Sequence, residues 1–129
     1  MGIQYRINEV GERPWGIWKC IAVGDKFIAK LITVNPHASL SLQMHDFRGE
    51  HWIVVKGTPT ITIGDTKKEY TFGQSVDIST KTKHRLENLT DDIVEIIEIQ
   101  MGDVLDENDI TRFEDVYGRT SKGVYYDKE

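Results

Sequence analysis

The 129-residue chain has a single cysteine, Cys20, so no disulfide can form within it. It has only three prolines, and no apolar run long enough to span a bilayer. The first residues, MGIQYRINEVGERPWG, lack the apolar core of a secretory signal. Basic charge is also scarce: 16 Lys and Arg stand against 21 Asp and Glu, a formal net charge of −5. That balance argues against a nucleic-acid partner, whose binders carry a basic stripe. Together these absences exclude a disulfide scaffold and a membrane partner, and they predict a cytoplasmic protein.

The chain is long enough for one domain, and it can bury a core without staples. No repeat, linker or low-complexity tract divides residues 1–129, and a core over about residues 13–119 is expected. Short β-prone runs at 26–34, 39–45, 50–56, 59–63, 67–72, 75–78, 83–88 and 93–100 alternate with turn signals such as Asn35-Pro36 and Gly64-Asp65. This pattern predicts an all-β barrel or sandwich. Residues 106–115 have an acidic start and an Ile110/Phe113 spacing, which predict a short C-terminal helix. The terminal segments are expected to pack on the outside of the barrel.

Side chains alternate across a strand, so parity sorts the candidate site residues. Ser41, Gln43 and His45 share one face of 39–45, and Leu40, Leu42 and Met44 share the other. Lys30 lies on the same face as Ile28, Ile32 and Val34, where a lysine is costly without a partner. Along 93–100, Val94, Ile96, Glu98 and Gln100 form a face that grades from apolar to polar, as in a barrel with a closed core and an open site. Gln43 and His45 point the same way from one strand. Glu50 follows a turn-like Asp46–Gly49, and His84 arrives on a later strand. Two imidazoles, a carboxylate and an amide oxygen make a four-ligand set for one divalent metal ion, with zinc expected. His51 is adjacent to Glu50, so parity points it away. Trp15 and Trp52 read as core rather than as sugar platforms.

QMHDFRGEHWIVVKG resembles the first cupin motif, with Gln43 replacing its first histidine. GQSVDISTKTKHRLEN resembles the second, with Ser79-Thr80-Lys81 where Pro-x-Gly is usual. RPWG, LSLQMH, RGEHW, HRLEN, IEIQMG and DITRFEDVYGR, in that order, are similar to type II phosphomannose isomerases. The resemblance implies a single cupin barrel that interconverts mannose 6-phosphate and fructose 6-phosphate through an enediol. In that family this cupin is commonly the C-terminal half of a bifunctional chain, behind a mannose-1-phosphate guanylyltransferase domain. The chain has neither the length nor a Gly-rich phosphate loop for that domain, so guanylyltransferase activity is not expected.

Enediol chemistry needs a base near C1 and C2, for which Glu98, Lys30 and an unbound water are candidates, and an electrophile, which a metal can supply. Arg48, Arg112 and Arg119 are candidates for the phosphate or the enediolate, and Ser41 for substrate contact. Two other readings use the same residues. One is a non-enzymatic sugar-phosphate-binding cupin. The other is an oxygenase built on His45, Glu50 and His84. The apolar faces of Leu40/Leu42/Met44 and Phe27/Ala29/Leu31 need cover, which predicts a homodimer.

Overall fold

The computed structural model describes residues 5–115. They form strands β1 (Val10–Arg13), β2 (Gly16–Val23), β3 (Phe27–Val34), β4 (Leu42–Met44), β5 (Gly49–Lys56), β6 (Thr60–Ile63), β7 (Thr66–Glu69), β8 (Ser75–Ile78), β9 (His84–Glu87), β10 (Val94–Met101) and β11 (Thr111–Glu114). The described residues contain no helix, and none therefore long and apolar enough to cross a membrane. One sheet runs β1-β2-β3-β10-β5-β8 and the other β11-β4-β9-β6-β7. Every adjacent pair is antiparallel.

Register fixes what the interior contains. In the larger sheet one cross-strand row reads Cys20, Lys30, Glu98, Trp52, Val76. The next reads Val23, Ile28, Gln100, Glu50, Ile78. In the smaller sheet Arg112, Gln43, His84 and Ile63 form a row. The inner faces of the two sheets thus carry a polar cluster at one end. At the other end Ile32, Val34, Val54, Leu86, Val94 and Ile96 form the apolar core. The gradient expected along 93–100 is present: Val94, Ile96, Glu98 and Gln100 are all buried. Each fully buried aliphatic side chain contributes roughly 1.5–3 kcal/mol, which lets one end of the barrel support charge at the other.

Two expectations are corrected. Residues 106–115 are a turn followed by β11, not a helix. The acidic start serves local acceptors instead: the Asp106 carboxylate accepts from the Asn108 amide at 2.9 Å, and its carbonyl accepts from the Asp109 amide at 3.0 Å. The open edge of β4 then recruits Thr111–Glu114 as a partner strand, which a helix could not be. The N-terminal segment does not merely coat the barrel. Its β1 and β2 extend the larger sheet and bring Trp15, Trp18 and Cys20 into the core. Gly16, which opens β2, has φ +151°, and a Cβ there would collide with the Thr33 carbonyl oxygen. That close approach accounts for the glycine of the RPWG motif.

Asn88 closes the apolar end. It is fully buried, and its amide nitrogen donates to the carbonyls of Val34, Asn35 and Asp92 at 3.1, 3.1 and 2.7 Å. Its oxygen accepts from the amide and hydroxyl of Thr90. One side chain therefore holds the end of β3 against the β9–β10 turn. Asn88→Ala removes the one amide that joins these carbonyls, although Asn35 keeps the Ala38 amide and Asp92 the Thr90 hydroxyl as donors, and should lower unfolding free energy by about 1–3 kcal/mol. Urea denaturation checks this; a variant as stable as wild type would contradict the assignment.

Candidate metal centre

His45, Glu50 and His84 converge inside the barrel, and one ligand atom from each lies within 4.8 Å of the others. Nε2 of His45 is 3.2 Å from Oε2 of Glu50, and Nε2 of His84 is 3.7 Å from Oε1. The three come from three places: the end of β4, the start of β5 and the start of β9. All are about 2% exposed.

The donor set fits a metal in tautomer as well as in position. Nδ1 of His45 lies 2.6 Å from the Asp109 carbonyl, and Nδ1 of His84 lies 2.9 Å from the Thr82 carbonyl. A carbonyl only accepts, so each Nδ1 carries the ring proton and each Nε2 presents a lone pair inward. Such backbone tethers are the usual way a ligating imidazole is oriented. Burial pushes the His84 pKa down, which keeps the ring neutral as a ligand must be. Burial pushes the Glu50 carboxyl up, but the Arg48 guanidinium beside it leads the opposing interactions, and its pKa is held well below the usual range. Glu50 is therefore an anion without a bound ion.

Gln43 is buried and pairs with His84 across β4 and β9, which places the expected fourth ligand beside the third. Its amide nitrogen donates to the hydroxyl of Ser41 at 3.1 Å. His51 points outward to Asp77, as parity requires. The loop before His84 departs from Pro-x-Gly, yet Lys81 takes the left-handed φ of +59° suited to glycine. Its amide donates to the His45 carbonyl at 2.7 Å, tying the loop to β4.

The other candidates fall in distinct places. Arg48 is buried, and its Nε and Nη2 each lie 2.8 Å from Oε2 of Glu50. Glu98 stands on β10 behind the cluster. Trp52 Nε1 donates to both Glu50 Oε1 (2.9 Å) and Glu98 Oε2 (3.2 Å), and Gln100 donates to Glu98 Oε1 (2.8 Å). Burial, and then the Glu50 charge, push the Glu98 pKa up to about 8 against the pull of Arg48 and Lys30. Lys30 is fully buried in the same row as Glu98, with Nζ 4.1 Å from the centre of the Tyr5 ring and 4.6 Å from that of Trp18. Aromatic faces thus share in holding this ammonium. Arg112 is buried beside Gln43. Arg119 lies outside the described residues.

Two contributors were not singled out from sequence, and a third does more than expected. Asp109 orients His45 through its carbonyl, and its carboxylate accepts from the amides of Asp46 and Phe47 at 2.7 and 3.0 Å. Thr82 does the carbonyl's work for His84. Trp52 is core as expected, but its indole N–H also bridges two carboxylates. Only the indole left a signal, since it shares the inward parity of Glu50. The carbonyls leave none.

A family profile described as "Mannose-6-phosphate isomerase C-terminal" matches residues 4–115. The chain is 52% identical over 108 residues to xanthan biosynthesis protein XanB of Xanthomonas campestris, covering 84% of this chain and 23% of that protein. It is 52% identical over 109 residues to alginate biosynthesis protein AlgA of Pseudomonas putida, covering 84% and 22%. A mannose-1-phosphate guanylyltransferase of Escherichia coli is 40% identical over 116 residues, covering 90% and 24%. The chain thus spans about a quarter of the length of these curated relatives. Among solved structures, capsular polysaccharide assembling protein CapF of Staphylococcus aureus superposes with TM-score 0.67 at 22% identity, covering 82% of this chain and 34% of that one. A cupin-superfamily sugar phosphate isomerase from Silicibacter pomeroyi superposes with TM-score 0.61 at 16% identity, covering 74% and 65%. The superpositions agree with the expected cupin barrel, and the sequence matches go further: this chain belongs to the mannose-6-phosphate isomerase C-terminal family.

Proposed function

We propose that the chain interconverts mannose 6-phosphate and fructose 6-phosphate at one divalent metal ion, zinc by preference, held by His45, Glu50, His84 and Gln43. The observation that carries this reading is the pair of buried imidazoles locked in one tautomer and aimed, with an ionised Glu50, at a common point. Bound there, the ion supplies Lewis acidity to the carbonyl and hydroxyl oxygens of the open-chain sugar. The remaining work falls to the protein. Glu98, as carboxylate, takes the C2 proton of the aldose and returns it to C1, while the O2 hydroxyl proton passes to O1, so the two transfers together turn the C1 aldehyde into a hydroxymethyl and the C2 alcohol into a ketone with no atom gained or lost. In the metal-free protein burial and the Glu50 charge push the Glu98 pKa up to about 8, and a cation at Glu50 would draw it back toward the carboxylate the transfer needs. Trp52 and Gln100 hold the two Glu98 oxygens in a fixed plane. The Gln100 amide oxygen is buried with no hydrogen-bond donor among the described residues, and a sugar hydroxyl would satisfy it. Arg48, Arg112 and Lys30, with Ser41, offset the acidic average charge for a dianionic substrate. Such a substrate belongs to the cytoplasm.

The test is conversion of mannose 6-phosphate by chelated protein and by zinc- or cobalt-reconstituted protein. His84→Ala and Glu50→Ala should lose metal and activity together, whereas His51→Ala should keep most of both. Metal analysis of the purified variants reads the first, a coupled assay the second. Sugar-phosphate binding without turnover under any metal would favour a binding module instead.

Glu98 also sets a pH dependence. In chelated protein it keeps its proton up to about pH 8, while the unfolded chain releases its own near the ordinary glutamate value of about 4.3. The folded state holds the extra proton across that window, so this group makes stability fall as pH rises from about 4.3 to about 8. Glu50 acts with the opposite sign, its contribution being lost only as pH drops below the ordinary value. Glu98→Gln should flatten the decline in urea midpoint and abolish turnover in the loaded enzyme. An unchanged slope would remove Glu98 from this role.

The proposal includes a homodimer. The outer face of the larger sheet carries a half-buried row of Leu31, Ile97 and Ile53, flanked by exposed Ile21, Phe27 and Met101. Strands of eight residues and this number of strands span on the order of 600–700 Å², close to the roughly 800 Å² per partner of a standard interface. Lys19, Glu95, Lys56 and Asp77 border this apolar row with both signs of charge, and a second copy is the occupant that offers an apolar row and mixed charges in return. Wild type should sediment as a dimer and Ile97→Glu as a folded monomer. A wild-type monomer at micromolar concentration overturns it.

A further inference from the structure

We infer that Arg48 is a built-in competitor of the metal: its guanidinium and a divalent ion draw on the same lone pairs, so loading the centre displaces Arg48 from His45 and Glu50. The inference rests on reading the His45–Glu50–His84 cluster as a metal site, and it assigns to Arg48 a role toward that ion besides its contribution to the charge around the substrate.

The deciding atom is Nε2 of His45. The Asp109 carbonyl holds a ring proton on Nδ1, which leaves the in-plane lone pair of the neutral ring at Nε2. Nη2 of Arg48 lies 3.1 Å from it, and arginine can only donate. One lone pair can accept an N–H or bind a cation, but not both. Glu50 adds a second point of conflict. Its Oε2, which is 3.2 Å from that same Nε2, receives both Nε and Nη2 of Arg48 at 2.8 Å. Like charge makes the exclusion stronger, because a guanidinium at hydrogen-bond distance from two ligand atoms opposes a second cation there.

The backbone around Arg48 does not have to move for this exchange. Asp46 and Phe47 are pinned by the Asp109 carboxylate, and Gly49 begins β5. The displacement therefore falls to the buried Arg48 side chain, which leaves the segment between β4 and β5. Arg48 has a function before the ion arrives. A buried carboxylate without a countercharge is strongly destabilising, and Arg48 supplies that charge to Glu50. The same residue therefore supports the metal-free fold and weakens the ion's grip. No substitution of Arg48 separates the first effect from the second in direction: less countercharge means a less stable metal-free barrel and tighter metal binding.

The experiment is chelator-competition titration of Zn²⁺ and Co²⁺ into the full chain, with thermal melts of the metal-free and loaded forms. Wild type, Arg48→Ala, Arg48→Gln and His84→Ala are compared, with circular dichroism to establish folding. Arg48→Gln keeps much of the side-chain bulk and covers the case in which Arg48→Ala fails to fold. Arg48→Gln should bind both ions about tenfold or more tightly, the scale of losing one charge-assisted competitor. Its metal-free melting temperature should fall, and its gain on loading should exceed that of wild type. If the folded Arg48 variants bind metal no more tightly than wild type, while His84→Ala loses it, the competition is overturned and the metal centre stands. If wild type and His84→Ala are alike in taking up no ion, the metal reading fails and this inference fails with it.

Discussion

The carboxylate of Glu50 has to be an anion inside a closed barrel, and most of the polar interior answers to that constraint. A lone buried charge would cost several kcal/mol even after relaxation. Here it is met by the Arg48 guanidinium, from the segment between β4 and β5, and by the Trp52 indole N–H, from β5. Those partners can be in place only if β4 ends and β5 begins where they do. Asp109 and Thr82, which fix the histidine tautomers, belong to the same arrangement. The apolar end, clasped by Asn88, supplies the stability that this polar end consumes.

One carboxylate held anionic next to another held protonated is the electrostatic signature of the site. Glu50 and Glu98 share the Trp52 indole as a donor, yet their affinities for a proton are driven apart. Arg48 lies directly against Glu50, whereas Glu98 meets chiefly burial and the charge of Glu50 itself. Two titratable groups separated in this way are suited to different tasks, one as ligand and one as proton carrier. Lys30 tempers the second from within its aromatic surroundings rather than joining the ligands.

The strand pattern was legible because alternation and turn residues are local. The eight β-prone runs correspond to β3 through β10 within a residue or two at most ends, and parity sent Gln43, His45, Glu50 and Glu98 inward and His51 outward. The pattern failed where local signals were weak or had two uses. Residues 10–23 are interrupted by Gly11, Pro14 and Gly16 and were not read as strands, although pairing of β2 with β3 and of β1 with β2 makes them so. The acidic residues near 106–109 resemble a helix start, and only the unpaired edge of β4 and the amides of Asp46 and Phe47 determine their actual use.

The sequence by itself determined the barrel class, the identity of the candidate ligands and the family, because these rest on residue type, spacing and the two-residue period of a strand. Tertiary structure alone decided the tautomers of His45 and His84, the placement of Arg48 across two ligand atoms, and the divergence of Glu50 and Glu98. Each of these depends on backbone carbonyls or buried charges contributed by distant segments. Neither a carbonyl's direction nor the depth of burial at a position is written in the residues beside it.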